Sequence, residues 1–256
     1  MANTRQDDIR NYLFDSGETP VQVLADAMGA SLATVRRDLT EMEKSGLVER
    51  LHGAARIARL ARSEAAFAHR ETTRLAEKRA IASLAFEEIK PGSMIFLDAG
   101  TTVLQLARRI MLADMPVTLV TNSLVVAREL TQASRISLIL LGGRLRAENL
   151  STTGPGAVAM LETMWFDQLF LGASAISNDG WLSSYDENEA QLNAHMAKRA
   201  AELHVLADHS KFGQRAAFNV LSLKKADALI TDKAPDEAFY ENASVSSADI
   251  KVAHHG

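Results

Sequence analysis

The chain has no cysteine. That excludes disulfides, thiolate metal sites and a cysteine nucleophile, and it fits a reducing compartment. No apolar run approaches the roughly 18 residues needed to span a bilayer. The opening MANTRQDDIRNYL lacks the basic-then-apolar order of a secretion leader. No membrane partner is expected, and the cytoplasm is the expected location. The seven histidines show no metal-ligand spacing, and His254-His255 reads as a tail. Neither a metal nor another cofactor is expected. There is no excess of positive charge either: 28 Lys and Arg face 32 Asp and Glu, a net charge of −4. The sum does not advertise a nucleic-acid partner, so the distribution of charge has to be read instead. What is present is 47% hydrophobic residues over 256 positions, enough for a sizeable core and more than one domain.

The stretch Ser31–Ala55 organises the N-terminal part. Ser31 is a helix-capping residue, its side-chain oxygen placed to accept an unpaired backbone N–H. Leu32, Val35, Leu39 and Met42 follow at helical spacing and predict a buried face. The outer face carries Arg37 and Thr40, with Thr34 and Arg36 on its flanks. Gly46 ends the helix. Leu47–Gly53 then alternates as a short strand pair would. Upstream, residues 4–15 predict a helix with Ile9, Tyr12 and Leu13 inward. Thr19-Pro20-Val21-Gln22 reads as a capping box opening a second helix with Val21, Leu24, Ala27 and Met28 on its apolar stripe. Helix, helix, tight turn, helix and ribbon is the order of a winged helix-turn-helix. Arg50, Arg56, Arg59 and Arg62 lie in an acid-free run over 50–62. Alone this is a solvated linker; beside that helix it reads as a phosphate-contacting strip. The negative balance is assigned to the rest of the chain.

Residues 56–74 show little periodicity and read as a linker. Residues 74–90 predict a helix stopped by Pro91-Gly92. From there short apolar runs at Met94–Leu97, Val117–Val120, Ile136–Leu141, Leu169–Leu171, Val205–Ala207 and Ala228–Ile230 alternate with helical segments at 102–112, 123–133, 155–164 and 187–203. The fold class is α/β: a winged helix-turn-helix followed by a mainly parallel sheet covered on both faces. Trp165-Phe166 is expected in the core. The expected domains are 1–57, the winged helix-turn-helix, 58–74, a linker, and 75–256, the sheet domain.

Ligands of open parallel sheets bind outside the carboxyl ends of the strands. Those ends carry Asp98, Gly100, Thr101 and Thr102; Thr121, Asn122 and Ser123; Gly142, Gly143 and Arg144; Gly172, Ala173 and Ser174; and Asp208 to Gly213, with Lys211. Gly100-Thr101-Thr102 at a strand-to-helix turn suits a phosphate, through free N–H groups and hydroxyls. The same residues are also an ordinary turn glycine with capping threonines. The P-loop ending and the three-glycine dinucleotide spacing are both missing. Asp208 and Lys211 suit hydroxyls and an anion, or a loose surface ion pair. Asp186, Glu187 and Glu189 suit sugar hydroxyls, or a helix N-terminus.

With both halves assembled, the sequence resembles the DeoR family of transcriptional regulators over nearly its whole length. Thr34-Val35-Arg36-Arg37-Asp38-Leu39, Gly46-Leu47, Arg50 and His52-Gly53 with Ala55 match that family's DNA-binding signature. Asp98 with Gly100-Thr101-Thr102, Thr121-Asn122, Gly142-Gly143, Gly154, Gly172 and Asp208–Gly213 match its sensor domain. The resemblance implies a sensor like the ribose-5-phosphate isomerase fold, with Gly100, Thr101 and Thr102 holding a phosphate and Asp98, Asn122, Asp208 and Lys211 around a sugar. With the helix and basic run read above, the residues expected at double-stranded operator DNA are Ser31, Thr34, Arg36, Arg37, Thr40, Arg50, His52 and Arg56. The resemblance also implies a homodimer or homotetramer that represses a carbohydrate operon until a phosphorylated sugar binds. Two positions depart from the pattern. Ala54 replaces a second wing glycine, and Asn193-Ala194 stands where a Lys-Arg pair is common, with Lys198-Arg199 slightly further on. The competing reading is a sugar-phosphate isomerase with a DNA-binding appendage, with Asp98 or Glu189 as base and Lys211 as electrophile.

Overall fold

The computed structural model describes residues 2–58, 67–113, 115–241 and 248–253. The chain forms two compact units, Met1–Ala68 and His69–Gly256. In the first, α1 (Ala2–Ser16) is followed by β1 (Thr19–Pro20), α2 (Val21–Ala27), α3 (Leu32–Lys44), β2 (Val48–Arg50) and β3 (Ala54–Ile57). The three strands form one antiparallel sheet in the order β1-β3-β2.

Helix α3 forms where the sequence places it. Ser31 Oγ accepts from the Thr34 N–H at 3.2 Å, and Val35, Leu39 and Met42 are buried against Ile9, Leu13, Leu24 and Val48. The helix stops at Gly46, whose φ of +72° lets the Leu47 N–H return to the Met42 carbonyl at 2.8 Å. Asp38 also lies on this buried face. Arg5 of α1 neutralises it through Nε at 2.6 Å and Nη2 at 3.3 Å. Without that partner a carboxylate on this face would oppose folding.

Three expectations change here. Thr19 and Pro20 are no capping box: their extended backbone pairs with Ala55 and Ala54 of β3. The Val21 N–H is satisfied by the Gly53 carbonyl at 3.0 Å rather than by the Thr19 side chain. Ala25, not Ala27, completes the buried stripe of α2. Residues 67–72, read within a linker, are helical.

In the second unit, α4 (Leu75–Glu87) precedes a repeating strand–helix order. It runs β4 (Met94–Leu97), α5 (Thr101–Ala113), β5 (Val117–Thr121), α6 (Leu124–Leu130), β6 (Ile136–Leu140), β7 (Arg144–Arg146), β8 (Ser151–Thr153) and α7 (Pro155–Glu162). It continues with β9 (Phe166–Gly172), β10 (Ala175–Ile176), β11 (Trp181–Ser184), α8 (Glu187–Ala197), β12 (Ala200–Leu206), β13 (Phe218–Ser222), β14 (Ala228–Thr231), α9 (Glu237–Glu241) and β15 (Asp249–Val252). Seven strands form a parallel sheet in the order β15-β14-β12-β9-β4-β5-β6.

Alternate residues of these strands serve opposite faces. Phe96, Leu169, Leu171 and Val205 join Leu161 of α7 and Leu192 and Met196 of α8 in one cluster. Their neighbours Ile95, Leu97, Phe170 and Leu206 are equally buried, so both faces are covered. Helices α4, α5 and α6 pack side by side in one layer, and α7 packs on α8.

The helix expected over 187–203 ends at Ala197. Ala200–Leu206 instead pairs in parallel with both β9 and β14, so sheet pairing overrides a helix-favouring composition. Strand β15, the antiparallel sheet β10-β11-β13 and the β7-β8 pair had no counterpart in the sequence pattern. Phe166 is buried, but Trp165 is 55% exposed with the Arg199 guanidinium 5.6 Å from its ring centre.

The chain runs outward from β4 through β5 to β6, then returns to place β9 on the other side of β4. The reversal between β4 and β9 opens a crevice outside their carboxyl ends, where ligands of such sheets sit. Asp98 follows β4, and Gly172 closes β9.

Candidate DNA-binding and effector sites

On α3, Arg36 and Arg37 are exposed, and among the described residues neither makes a side-chain hydrogen bond or ion pair. His52 is exposed at the hairpin turn between β2 and β3. The other sequence-derived DNA contacts are already engaged. Ser31 caps α3 and lies 2.8 Å from the Thr34 hydroxyl. The Thr40 hydroxyl donates to the Arg36 carbonyl at 2.8 Å and accepts from Arg50 Nη1 at 3.0 Å. Arg50 also lies 3.9 Å from Glu43, and Arg56 pairs with Glu49 at 2.7 Å. Arg59, Arg62, His254 and His255 lie outside the described residues.

The negative charge is not confined to the C-terminal part. Residues 1–57 hold seven Lys and Arg against nine Asp and Glu, and residues 58–256 hold 21 against 23. Basicity is therefore a matter of which side chains stay unpaired. In α3, among the described residues, those are Arg36 and Arg37, with Lys44 in the last turn.

In the second unit, Asp98 is buried at the β4–β9 reversal. Its Oδ2 accepts from the Gly172 N–H at 3.1 Å, and the N–H groups of Ala99 and Gly100 also point to it. Burial, and then the charge of Glu189, push its carboxyl up to about 7, against the pull of those three N–H groups. Gly100 and Gly172 let two backbones meet here. A Cβ on Gly172 would stand 3.3 Å from the Gly100 Cα and 3.2 Å from Asp98 Oδ2. The glycine read as an opening toward a ligand thus also serves chain-to-chain packing.

Beside β4, Thr121 Oγ1 accepts from the Ser123 N–H at 3.0 Å, and Ser123 caps α6 through the Val126 N–H at 3.2 Å. Asn122 is buried. Its Nδ2 donates to the Thr152 carbonyl at 3.3 Å, while its Oδ1 has no partner among the described residues. Thr102 is buried at the start of α5, and Thr101 is half-buried. Gly143 is fixed by packing: with φ +144°, a Cβ there would stand 2.8 Å from the Thr153 carbonyl oxygen. Gly142, Arg144 and Ser174 are exposed and Ala173 half-buried, and the structure assigns none of them a side-chain role.

Glu189 is the hub of the polar wall. It accepts from Asn149 Nδ2 at 2.9 Å, bonds the Ser184 hydroxyl, and lies 3.6 Å from Arg146. Asp186 caps α8 through the Glu189 N–H at 2.9 Å and lies 3.5 Å from Arg146. Glu187 stays outside this network, exposed and bonded to Gln191 at 3.4 Å. Asp208 is buried, caps a short turn through the Ser210 N–H at 3.0 Å, and lies 3.9 Å from Arg74.

Sequence reasoning missed several neighbours. Lys78, on the buried side of α4 with Ile81 and Ala82, donates to the carbonyls of Arg70 and Thr73, the latter at 2.7 Å. Burial lowers its proton affinity, the Asp208 charge opposes that, and Lys211, Arg70 and Arg74 reinforce it. Arg70 donates to the Glu148 carbonyl at 2.8 Å and, by burial and the nearness of Arg146, is likewise lowered. The available signal was a lysine inside the apolar stripe of a helix, with arginines four and eight residues earlier. Asn193, one turn beyond Glu189, is buried with its Oδ1 unpartnered among the described residues. Lys198-Arg199 does not replace the departed pair: Lys198 caps the end of α8, and Arg199 Nε donates to the Met164 carbonyl at 2.8 Å. Among the described residues no group of acids and histidines could hold a metal ion.

Residues 5–60 match the DeoR-like helix-turn-helix domain, and residues 73–233 match the DeoR C terminal sensor domain. The chain belongs to the DeoR family of transcriptional regulators. It is 38% identical over 238 residues to the HTH-type transcriptional regulator GlpR of Haloferax volcanii, covering 93% of this chain and 92% of that one. It is 34% identical to the HTH-type transcriptional repressor CsqR of Escherichia coli, covering 97% and 95%. It is 31% identical to the Glycerol-3-phosphate regulon repressor of the same organism, covering 98% and 96%. A solved ribose 5-phosphate isomerase from Methanocaldococcus jannaschii overlaps 53% of each chain at a TM-score of 0.39 and 21% identity, too slight a likeness to argue from. This DeoR-family chain is a regulator and not an enzyme, as its relatives are, so the isomerase reading is set aside. Among the described residues no helix is long and apolar enough to cross a membrane.

Proposed function

We propose that this DeoR-family regulator is an operator-binding repressor of a carbohydrate operon, released by a phosphorylated sugar. The carrying observation is the make-up of the crevice. Cationic Arg70, Arg74 and Lys211 and the single carboxylate of Asp208 stand around Lys78, while Asp98, Asn122, Asn149 and Glu189 supply hydroxyl-binding groups. An anion with several hydroxyls satisfies both sides, and the unpartnered Oδ1 atoms of Asn122 and Asn193 suit its O–H donors. Thr101 and Thr102 at the start of α5 add further donors. A relative that governs a glycerol-3-phosphate regulon supports a phosphorylated effector.

At the output end, α3 lies in the major groove. Arg36 and Arg37 are offered to bases or phosphates, with His52, Arg50 and Arg56 of the wing on the backbone. Paired half-sites call for a homodimer or homotetramer.

The test begins by selecting the operator from a random duplex pool. Release is then titrated with glucose 6-phosphate, fructose 6-phosphate, ribose 5-phosphate and glycerol 3-phosphate, beside the unphosphorylated compounds. One phosphorylated compound should raise the thermal midpoint and release DNA. If none of the four does either, the effector reading is wrong. Thr101→Ala with Lys211→Ala should abolish release.

A further inference from the structure

Lys78 feels three other cations, Arg70, Arg74 and Lys211, and one carboxylate, Asp208, and Arg70, Arg74 and Lys78 lie on a single stretch, residues 69–78. This stretch is where the chain enters the sensor unit after the DNA-binding unit in sequence. Lys78 is 4% exposed, and its ammonium donates to two backbone carbonyls, those of Arg70 and Thr73. Among the described residues no carboxylate lies within ion-pair distance of it. A buried ammonium held by carbonyls alone keeps an uncompensated charge and attracts an anion.

Those same two bonds clamp the turn between the 67–72 helix and α4. In that turn Arg74 has the left-handed conformation, φ +52° and ψ +44°, that non-glycine residues rarely hold unless their surroundings impose it. Its side chain reaches Asp208 only at 3.9 Å, and the Asp208 carboxylate is already bonded to the Ser210 N–H and hydroxyl. Arg70 is anchored on the Glu148 carbonyl beside Arg146. The acids beside Arg70 are already engaged: Asp186 and Glu189 share Arg146, and Glu189 also acts on the buried Asp98.

We propose that Arg70, Arg74 and Lys78 form a cationic switch arm, which the anionic group of the effector draws away from Asp208 and from the carbonyls of residues 70, 73 and 148, so that binding resets the conformation of residues 69–78. This rests on the crevice being the effector site. The arm then links the input to the covalent path toward the DNA-binding unit. Two of the three Lys78 N–H donors hold the turn, so an anion that pulls the ammonium toward itself strains both bonds and loosens the clamp on the left-handed turn at Arg74. A ligand shifts such an equilibrium only by binding the two arrangements unequally, and this exchange of partners supplies the inequality.

Amide hydrogen exchange on the full chain tests it, with inorganic phosphate and the same four phosphorylated compounds as probes, against chloride at matched ionic strength. The expected result is protection of residues 99–103 together with a severalfold change in exchange over 69–78. In Arg74→Gln the change over 69–78 should disappear while some protection at 99–103 remains. Protection at 99–103 with 69–78 unaltered would overturn the switch arm and leave the effector site standing. An unchanged response of 69–78 in Arg74→Gln would also overturn it. No change at either stretch with any probe would remove the effector site, and the arm with it.

Discussion

Asp98 shows how much one buried side chain can set. Its carboxyl is pushed from an ordinary 3.8 up to about 7 by burial and by Glu189. Between about pH 4 and about pH 7 the folded chain keeps a proton that the unfolded chain has released. Stability therefore falls as pH rises through that window, with a slope of up to about 1.4 kcal/mol per unit from this group. Asp98→Asn should flatten that part of the profile in urea unfolding measured from pH 4.5 to pH 7.5; an unaltered slope would mean the proton is not there. Asn193 makes a complementary case. Its buried Oδ1 has no partner among the described residues, so Asn193→Ala should leave the thermal midpoint nearly unchanged. The same variant should raise the effector concentration for half-release about tenfold, equivalent to about 1.4 kcal/mol. A lost midpoint with normal release would make Asn193 a structural residue instead.

At the scale of the element, α3 separates stability from recognition by face. Leu39 is fully buried, and Leu39→Ala should cost about 3 kcal/mol in chemical unfolding. Arg37→Ala touches no described partner, so stability should hold while operator affinity falls. The slope of log affinity against log salt should lose about one unit. Arg56 must first leave Glu49, and Arg50 must leave Glu43 and Thr40. Arg56→Ala should therefore change that slope by less than Arg37→Ala does, as read by fluorescence anisotropy between 50 and 200 mM salt. Equal changes would show that the wing pairs dissolve on DNA at no net cost. The stretch 187–203 shows the limit of element-level reading. Its composition favours helix throughout, yet from Ala200 the backbone bonds to two neighbouring strands, and those bonds exist only once β9 and β14 are in place.

For the whole molecule, the decisive feature is the order β15-β14-β12-β9-β4-β5-β6. The reversal between β4 and β9 brings the end of one strand, Asp98, onto the end of another, Gly172, 74 residues later. A ligand held there binds the folded sensor alone. At a hundred times its dissociation constant it should stabilise the fold by about 2.7 kcal/mol, visible as a raised thermal midpoint. The unphosphorylated sugar, which leaves Lys78 and its neighbours unpaired with an anion, should raise it less. An equal rise from both would place the binding energy on the polar wall rather than on the cations.

Local order was legible in the residues. The cap at Ser31, the Val35–Leu39–Met42 stripe, the stop at Gly46, six of the seven parallel strands and most of the polar strand ends all follow from spacing within a few residues. The physics there acts between near neighbours, through caps, turns and apolar periodicity. The tertiary structure decided what depends on distant partners: Arg5 on Asp38, Thr19-Pro20 as a strand against β3, and Ala200–Leu203, read as helix, as the first half of β12. It also decided which arginines stay unpaired, and that Arg70, Arg74 and Lys78 join the crevice. Each is a choice between two chemically reasonable roles for the same residue. Only the groups brought within a few ångströms by the fold settle which role has the lower free energy.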